Sequence, residues 1–226
     1  MNATLQTNKI YEILNESDKR ISVMQGGSRS GKTYNILIWF IVKLLQENGK
    51  TLTIVRQSLP SIKGSVLRDF VDILTKLNIY SEDNHNKTEQ IYSLNGNTIE
   101  FVSADQPQKI RGRARTYLFC NEANELSYEA WMQLIMRTEG KIVIDYNPSD
   151  VASWIYDSVI PRDDADFNIT LDQARYCKAI VNRFLEKAGA KKKPRFYSTI
   201  LPAEFVPSVE DCSKDEETAK TLQEEY

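Results

Sequence analysis

The chain has 226 residues, 41% of them hydrophobic, which is enough to bury the core of one large domain. Its 29 lysine and arginine residues are balanced by 31 aspartate and glutamate residues, so the formal net charge is -2. This balance excludes a protein that attracts nucleic acid by its overall charge. Any contact with nucleic-acid phosphates must therefore come from a local basic patch.

The cysteines and the apolar runs indicate the cellular compartment. Cys120, Cys177 and Cys212 are odd in number and lack C-x-x-C spacing, which fits neither a disulfide framework nor a zinc site. The first residues lack the basic and apolar regions of a secretory signal. The longest apolar run, residues 36–42, is too short to span a bilayer. We therefore expect a soluble cytoplasmic protein without membrane contact.

The first twenty residues predict a short helix followed by a polar turn. Ile10, Ile13 and Leu14 have helical spacing, and the polar run that follows them is typical of a turn. In nucleotide-binding proteins such a segment can contact the base, and Gln6 and Tyr11 are the candidates here. The alternative is an amphipathic helix that only covers the edge of a sheet.

A phosphate-binding loop follows an apolar run, residues 21–24, that predicts a strand. Its residues spell G-x-x-x-x-G-K-T, and a helix is predicted from Lys32 to about Gln46. Backbone N–H groups of such a loop converge on phosphates, where the helix dipole adds positive potential. Lys32 would neutralise phosphate charge, and Thr33 would ligate Mg²⁺. The predicted nucleotide-binding residues of the loop are Gly26, Gly27, Ser28, Arg29, Ser30, Gly31, Lys32 and Thr33.

The next elements predict a doubly wound α/β sheet. Residues 51–56 are β-rich, so strand, loop, helix and strand form one βαβ unit with parallel strands. A second helix is predicted over residues 58–77. Residues 89–94 and 98–102 alternate apolar and polar side chains around Asn95-Gly96, which predicts a β-hairpin.

A basic loop follows the hairpin and is the candidate DNA contact. Its four cations are Lys109, Arg111, Arg113 and Arg115. They could meet the phosphates of DNA or of a nucleotide, or they could be solvated without an anionic partner. A second basic run, Lys191-Lys192-Lys193, leaves the same alternatives open.

Residues 116–120 predict a buried strand that is followed by a carboxylate. In an open α/β sheet, ligands bind at the carboxyl ends of the strands. Glu122 is therefore the candidate general base that polarises the water for nucleoside triphosphate hydrolysis. Asn121 stands where such enzymes usually carry an aspartate that orients Mg²⁺. The predicted metal site is Thr33, Asn121 and Glu122.

A further strand is predicted over residues 140–148, with Asp145 and Asn147 at its ligand end. These side chains could sense the γ-phosphate and pass its loss to a neighbouring segment. The alternative is a strand-end turn closed by Asn147-Pro148. Beyond it, residues 151–160 predict a helix and 161–166 a linker, and helices are predicted over 172–189 and 215–226.

These motifs, taken in order, resemble the ATPase domain of the large terminase subunit of tailed bacteriophages. The resemblance covers roughly residues 5–160 and rests on the phosphate loop, on Arg111-Gly112-Arg113, on residues 118–123 and on residues 144–148. It implies a phosphate-loop NTPase fold, a mainly parallel sheet flanked by helices, with a β-hairpin insertion and a small C-terminal helical lid or tail. The implied domains are an ATPase core at 1–165 and a lid, linker or tail at 166–226.

The resemblance also implies a function, an ATP- and Mg²⁺-dependent motor that drives double-stranded DNA into a procapsid. The implied partners are the portal protein, the procapsid, the small terminase subunit and further copies in a ring on the portal, with a monomer in isolation as the alternative. The implied location is the cytoplasm of the infected host cell. Lys32, Glu122 and Arg29 would be catalytic, and Asp145, Tyr146 and Asn147 would form the coupling motif.

Two features depart from that family. Asn121 replaces an acidic residue, and residues 161–226 offer no carboxylate-rich strand set for the C-terminal nuclease of such terminases. We therefore expect an isolated ATPase domain or a short form without the nuclease. The alternatives are a nucleotide-binding interaction module that hydrolyses weakly or not at all, and another phosphate-loop DNA translocase or helicase.

Overall fold

The computed structural model of the protein describes residues 7–27, 30–105, 110, 114–147, 154–170 and 195–197. Within these residues the strands form one mostly parallel sheet with helices on both faces. The helices are α1 (Lys9–Glu16), α2 (Lys32–Gln46), α3 (Leu59–Gly64), α4 (Val66–Lys76) and α5 (Tyr128–Ile135). The strands are β1 (Ile21–Gln25), β2 (Thr51–Arg56), β3 (His85–Asn86), β4 (Ile91–Leu94), β5 (Asn97–Ser103), β6 (Tyr117–Cys120), β7 (Ile142–Tyr146), β8 (Ala165–Thr170) and β9 (Arg195–Tyr197).

The strand order in the described sheet is β3-β4-β5-β2-β6-β7-β1-β8-β9. Strand β7 therefore lies between β1, which precedes the phosphate loop, and β6, which precedes Asn121 and Glu122. All three strands are parallel, so their carboxyl ends meet at one edge of the sheet. The predicted fold class is confirmed, and the strand order assembles the ligand end from three separate stretches of sequence.

The core has two parts because neighbouring strand residues point to opposite faces of the sheet. Phe119 packs in the cluster that contains the buried sides of α1, α2 and α4. Leu118 packs in the cluster that contains α5. Every residue of β1 is buried, as expected for a central strand that is covered on both faces.

The predicted hairpin is confirmed. Strands β4 and β5 pair antiparallel, and Asn95 and Gly96 between them have φ angles of 50° and 72°. Two consecutive positive φ angles are typical of the tight two-residue turn that Asn-Gly favours. β5 then pairs parallel with β2, so the hairpin extends the sheet.

Two predicted helices differ from the structure. The single helix predicted over residues 58–77 is two helices, α3 and α4, because Ser65 leaves the helical region with φ -135° and ψ -92°. The helix predicted over residues 151–160 contains a π-helical segment, Ile155–Val159, in its described part. None of the described helices is long and apolar enough to cross a membrane.

The predicted boundary at residue 165 and the predicted linker at 161–166 need correction. Residues Ala165–Thr170 form β8, which pairs in parallel along the whole length of β1. The sequence of β8 does alternate apolar and polar residues, but the polar run that precedes it favoured a linker. Its pairing with β1 is a long-range contact that local pattern does not encode. The sheet therefore continues through Thr170, and β9 extends it at the edge.

Candidate functional site: a phosphate-loop cleft

A cleft of about 260 Å³ opens where β1, β6 and β7 end. It brings together the predicted loop, the predicted base and the end of the predicted coupling motif, although the loop and the end of that motif are 115 residues apart in sequence. The lining residues are Ser30, Gly31, Lys32, Thr33, Tyr34, Asp69, Glu122 and Asn147.

The described part of the phosphate loop is braced by two asparagines that the sequence analysis missed. Gly31 has a φ of 75°, a conformation that glycine adopts without strain, and α2 begins at the next residue. Asn35 donates from Nδ2 to the carbonyl of Gly31 at 2.9 Å, and Asn8 donates from Nδ2 to the carbonyl of Ser30 at 3.3 Å. The backbone N–H of Asn8 in turn donates to Oδ1 of Asn35 at 2.8 Å. The segment that caps α1 thus holds the loop.

Lys32 lies at the centre of the cleft. Its Nζ donates to the carbonyls of Gly26 and Gly27 at 2.9 and 3.0 Å and to Oδ1 of Asn147 at 2.9 Å. Burial lowers the pKa of Lys32, and the nearby carboxylates of Asp145 and Glu122 oppose that shift. The ammonium is therefore held by neutral oxygens, which leave its charge available to an anion.

Asp145 is the most connected carboxylate of the site and is completely buried. It accepts from Thr33 Oγ1 at 2.8 Å, from Asn121 Nδ2 at 2.9 Å and from the backbone N–H of Glu122 at 2.9 Å. Burial raises its pKa, and the charge of Lys32 opposes this most strongly. Asp145 was predicted as part of the coupling motif, and the structure places it in hydrogen-bond contact with all three of the predicted metal residues.

Glu122, the predicted base, lines the cleft and has a constrained backbone. Its backbone adopts a left-handed conformation, with φ 51° and ψ 54°, which the bond from its N–H to Asp145 holds in place. Its Oε2 accepts from the N–H of Asn147 at 3.4 Å. Burial raises the pKa of Glu122, and the neighbouring Asp145 raises it further. A carboxylate with a raised pKa inside a cleft is a stronger proton acceptor than an exposed one.

Tyr146 connects β7 to the start of the phosphate loop. Its carbonyl accepts from the N–H of Gly26 at 3.2 Å, and its hydroxyl donates to Oε1 of Gln25 at 2.9 Å. The hydroxyl of Tyr156, which the sequence analysis did not single out, donates to the same oxygen. A shift of the segment 145–147 would therefore change the hydrogen bonds that connect it to the phosphate loop and, through Gln25, to the π-helical segment.

The residues present fit a hydrated Mg²⁺ ion. Asn121 Oδ1 is buried and has no hydrogen-bond partner among the described residues, and the Nδ2 of the same amide donates to the hydroxyl of Thr33 and to the carboxylate of Asp145. Mg²⁺ prefers oxygen ligands and keeps several of its waters. The hydroxyl of Thr33, the carboxylate of Asp145 and the unpartnered amide oxygen of Asn121 belong to three residues in contact, and this set of oxygens meets that preference. The described residues contain no cluster of three histidine, cysteine, aspartate or glutamate side chains that would hold a metal without water.

The prediction that Arg115 contacts DNA is wrong. Only 2% of its surface is exposed, and its Nη2 donates to the carbonyl of Ile110 at 3.1 Å. Its backbone N–H donates to the carbonyl of Arg137, and its own carbonyl accepts from the N–H of Glu139. The sequence predicts that a basic residue in a run of charges is exposed to solvent. Arg115, the last residue of this run, is instead buried. Arg115 is a structural residue.

Several predicted residues lie outside the described part of the chain. They are Gln6, Ser28, Arg29, Lys109, Arg111, Arg113 and Lys191-Lys192-Lys193, together with the helices predicted over 172–189 and 215–226. Tyr11, the other candidate for a contact with the base, packs against the core cluster that contains α2. It is absent from the lining of the cleft.

The strand order and the loop between β1 and α2 define the class of the protein, a phosphate-loop NTPase fold. The sequence profile described as "Phage terminase large subunit" matches residues 18–198. The chain therefore belongs to the phage terminase large subunit family. No curated protein sequence matched it.

Solved structures share the fold. The large terminase of a thermophilic bacteriophage matches at 14% identity and a TM-score of 0.58, over 67% of this chain and 41% of that chain. The same terminase in complex with ATP-gamma-S matches at 12% identity and a TM-score of 0.58, over 75% of this chain and 47% of that chain. The large terminase ATPase domain of Thermus phage P74-26 matches at 15% and 0.56, over 89% of each chain. The chain thus spans less than half of the first terminase and corresponds in extent to the ATPase domain of the second.

Proposed function

We propose that this chain is the ATP-hydrolysing motor domain of a phage large terminase and drives double-stranded DNA into a procapsid. The observation that carries the proposal is the cleft in which Lys32, Thr33 and Glu122 meet at the ends of three parallel strands. Family membership supports the proposal. Further support comes from the thermophilic phage terminase described above, which has been solved in complex with ATP-gamma-S and with ADP.

The predicted site residues have the following roles in this proposal. The N–H groups of the loop and the ammonium of Lys32 bind the β- and γ-phosphates. Thr33, Asn121 and Glu122 would hold Mg²⁺, which would supply positive charge to the phosphate oxygens. Glu122 accepts a proton from the attacking water. Arg29 stabilises the charge that develops on the transferred phosphoryl group.

The coupling role of Asp145, Tyr146 and Asn147 follows from their contacts. Asn147 Oδ1 accepts one of the hydrogen bonds that Lys32 Nζ donates, at 2.9 Å. A γ-phosphate would take that hydrogen bond, and its departure would return the bond to Asn147. Because Tyr146 is bonded to Gln25 and Gly26, the change would pass into β1 and the loop. This contact is how hydrolysis would be sensed.

The deciding experiment is single-turnover ATP hydrolysis with Mg²⁺, with and without double-stranded DNA and portal-bearing procapsids. We expect Glu122→Gln to bind ATP normally and to hydrolyse it at least about a hundredfold more slowly, because the base is lost. Lys32→Ala should lose nucleotide affinity. Glu129→Gln, the same change at an exposed position of α5, serves as the control and should be unaffected. An intact chain that hydrolyses no ATP under any of these conditions would refute the motor.

A second candidate function is favoured by Asn121, because an amide is a weaker partner than a carboxylate for a metal-bound water. In that case the chain is a nucleotide-binding module that changes its affinity for partners without cleaving ATP. Single-turnover experiments separate the two, since the module binds Mg-ATP and yields no ADP. A helicase of the same fold would separate the strands of duplex DNA, whereas a packaging motor moves along the duplex without unwinding it.

The proposed partners are double-stranded DNA, the portal and procapsid, the small terminase subunit and further copies of the chain in a ring, in the cytoplasm of the infected cell. Lys109, Arg111 and Arg113 remain the proposed DNA contacts. Removing one phosphate contact should reduce the slope of log affinity against log salt by about 0.9. If replacing all three residues by alanine leaves this slope unchanged, the loop does not contact the phosphates of DNA.

A further inference from the structure

We propose that Asp145 is the carboxylate that positions Mg²⁺ in this protein, in place of the acidic residue missing at position 121. The inference rests on the proposed function, in that it assigns the metal site of the same nucleotide cleft. It gives Asp145 a second role beside the coupling role described above. In this assignment Asn121 is the hydrogen-bond donor to that carboxylate.

The strand order places Asp145 where it can do this. Strand β7 lies between β1 and β6, and Cys120 pairs with Ile144 in the register of β6 and β7. The next residues along, Asn121 and Asp145, therefore stand side by side just beyond the last paired positions. Each reaches the same atom, since Thr33 Oγ1 lies 2.8 Å from Asp145 Oδ2 and 3.1 Å from Asn121 Nδ2.

The hydrogen bonds give Asp145 the relationship that defines the metal-orienting carboxylate of phosphate-loop NTPases. In that class the hydroxyl of the loop Ser or Thr and an aspartate on a neighbouring strand hold Mg²⁺ together. Here the hydroxyl of Thr33 donates to Asp145 and accepts from Asn121. An amide at 121 supplies no negative charge, so Asp145 is the carboxylate in direct contact with Thr33.

The amide of Asn121 is oriented by this carboxylate. Its Nδ2 lies 2.9 and 3.2 Å from the two oxygens of Asp145, which require a donor, so its Oδ1 points the other way. That oxygen is buried and has no partner among the described residues, which leaves it for a water of the metal. An aspartate at 121 would instead place a second carboxylate about 3 Å from the first, and the two charges would repel.

The exchange of charges between the two positions provides the test. The variants are Asp145→Asn, Asn121→Asp and the double variant Asn121→Asp/Asp145→Asn, with Asp72→Asn on the exposed side of α4 as the control for charge. Two quantities are measured, Mn²⁺ affinity by electron paramagnetic resonance with ADP present, and the ratio of ATP-gamma-S affinities in Mg²⁺ and in EDTA. Neither requires turnover.

We expect Asp145→Asn to lower Mn²⁺ affinity and the Mg²⁺-dependent ratio at least about tenfold, as loss of a group that orients a metal ligand does. Affinity in EDTA should fall much less. The double variant should recover most of both quantities, because the new carboxylate at position 121 could accept from Thr33 and from the new amide at position 145. Asn121→Asp alone should bring no gain.

Retention of the Mg²⁺-dependent ratio in Asp145→Asn would overturn the proposal, as would a double variant that does not recover it. If circular dichroism shows that Asp145→Asn is unfolded, the double variant decides in the same way, and its failure to fold or to bind Mn²⁺ also counts against the proposal. Normal metal binding in an intact chain without hydrolysis would instead refute the motor and leave this assignment standing.

Discussion

The Nζ atom of Lys32 lies 2.9 Å from Oδ1 of Asn147, so the phosphate-loop lysine and the end of β7 are in direct contact. The two residues are separated by 115 positions in the sequence. In the proposed function the same ammonium binds a phosphate, so this contact would compete with the nucleotide and would connect nucleotide binding to the end of β7.

Two substitutions of Asn147 should change nucleotide discrimination in opposite directions. Asn147→Ala removes the competitor, and affinity for ATP-gamma-S should rise about tenfold, since a hydrogen bond to a charged group contributes about 1.5 kcal/mol. Asn147→Asp should lower it at least about tenfold, because a carboxylate pairs with Lys32 and repels the γ-phosphate. Affinity for ADP, measured by calorimetry in parallel, should change less. Equal effects of the two variants would contradict the competition.

The close approach of Gly26 to β8 predicts a clash and its rescue. A Cβ at position 26 would lie 2.5 Å from Cγ2 and 3.0 Å from Oγ1 of Thr170. Gly26→Ala should therefore displace the loop and lower affinity for ATP-gamma-S about tenfold or more, since overpacking costs about 1–3 kcal/mol. Thr170→Ala removes both atoms, so the double variant should recover most of the lost affinity. A double variant as weak as Gly26→Ala would show that β8 does not limit the loop.

Arg115 should matter for stability and not for DNA. Arg115→Ala removes the donor to the buried carbonyl of Ile110, and an unsatisfied buried group costs about 1–3 kcal/mol. Urea unfolding should show that the free energy of unfolding falls by at least about 1 kcal/mol. Arg68→Ala, at a side chain that is 66% exposed, is the control and should change stability little. A steep fall in DNA affinity in folded Arg115→Ala, with stability unchanged, would reverse this assignment.

Stability should rise with pH above about 8 because of Lys141. Burial lowers the pKa of Lys141 to about 8 from its ordinary 10.5, while its Nζ donates to Ser17 Oγ and to the carbonyl of Lys19. Between these values the unfolded chain binds more protons than the folded one, so the free energy of unfolding increases as pH rises. Denaturant titrations at several pH values below the ordinary tyrosine pKa of about 10 measure the slope.

The slope should decrease in Lys141→Met, with the remainder due to other groups such as the buried Lys32, and it should keep its full size in Lys63→Met, which makes the same change at an exposed position. A slope that is undiminished in Lys141→Met would contradict the assignment.

The sequence by itself determined those features that depend on neighbouring residues. The phosphate loop is a continuous motif, the Asn95-Gly96 turn needs only two residues with positive φ, and α2 follows from its own apolar pattern and flanking residues. Lys32, Thr33 and Glu122 could be found in this way because each sits in a recognisable local context: a glycine-rich loop, or the end of an apolar strand.

Only the tertiary structure decided the features that depend on which strands become neighbours. β8 joins the sheet through β1, Arg115 enters the core, and Asn8 and Asn35 brace a loop whose sequence motif includes neither of them. Asp145 was visible in the sequence as a polar strand end, yet its contacts with Thr33 and Asn121 exist because β7 lies between β1 and β6. Strand order is set by burial of the whole sheet between its helices, and no local stretch of sequence encodes it.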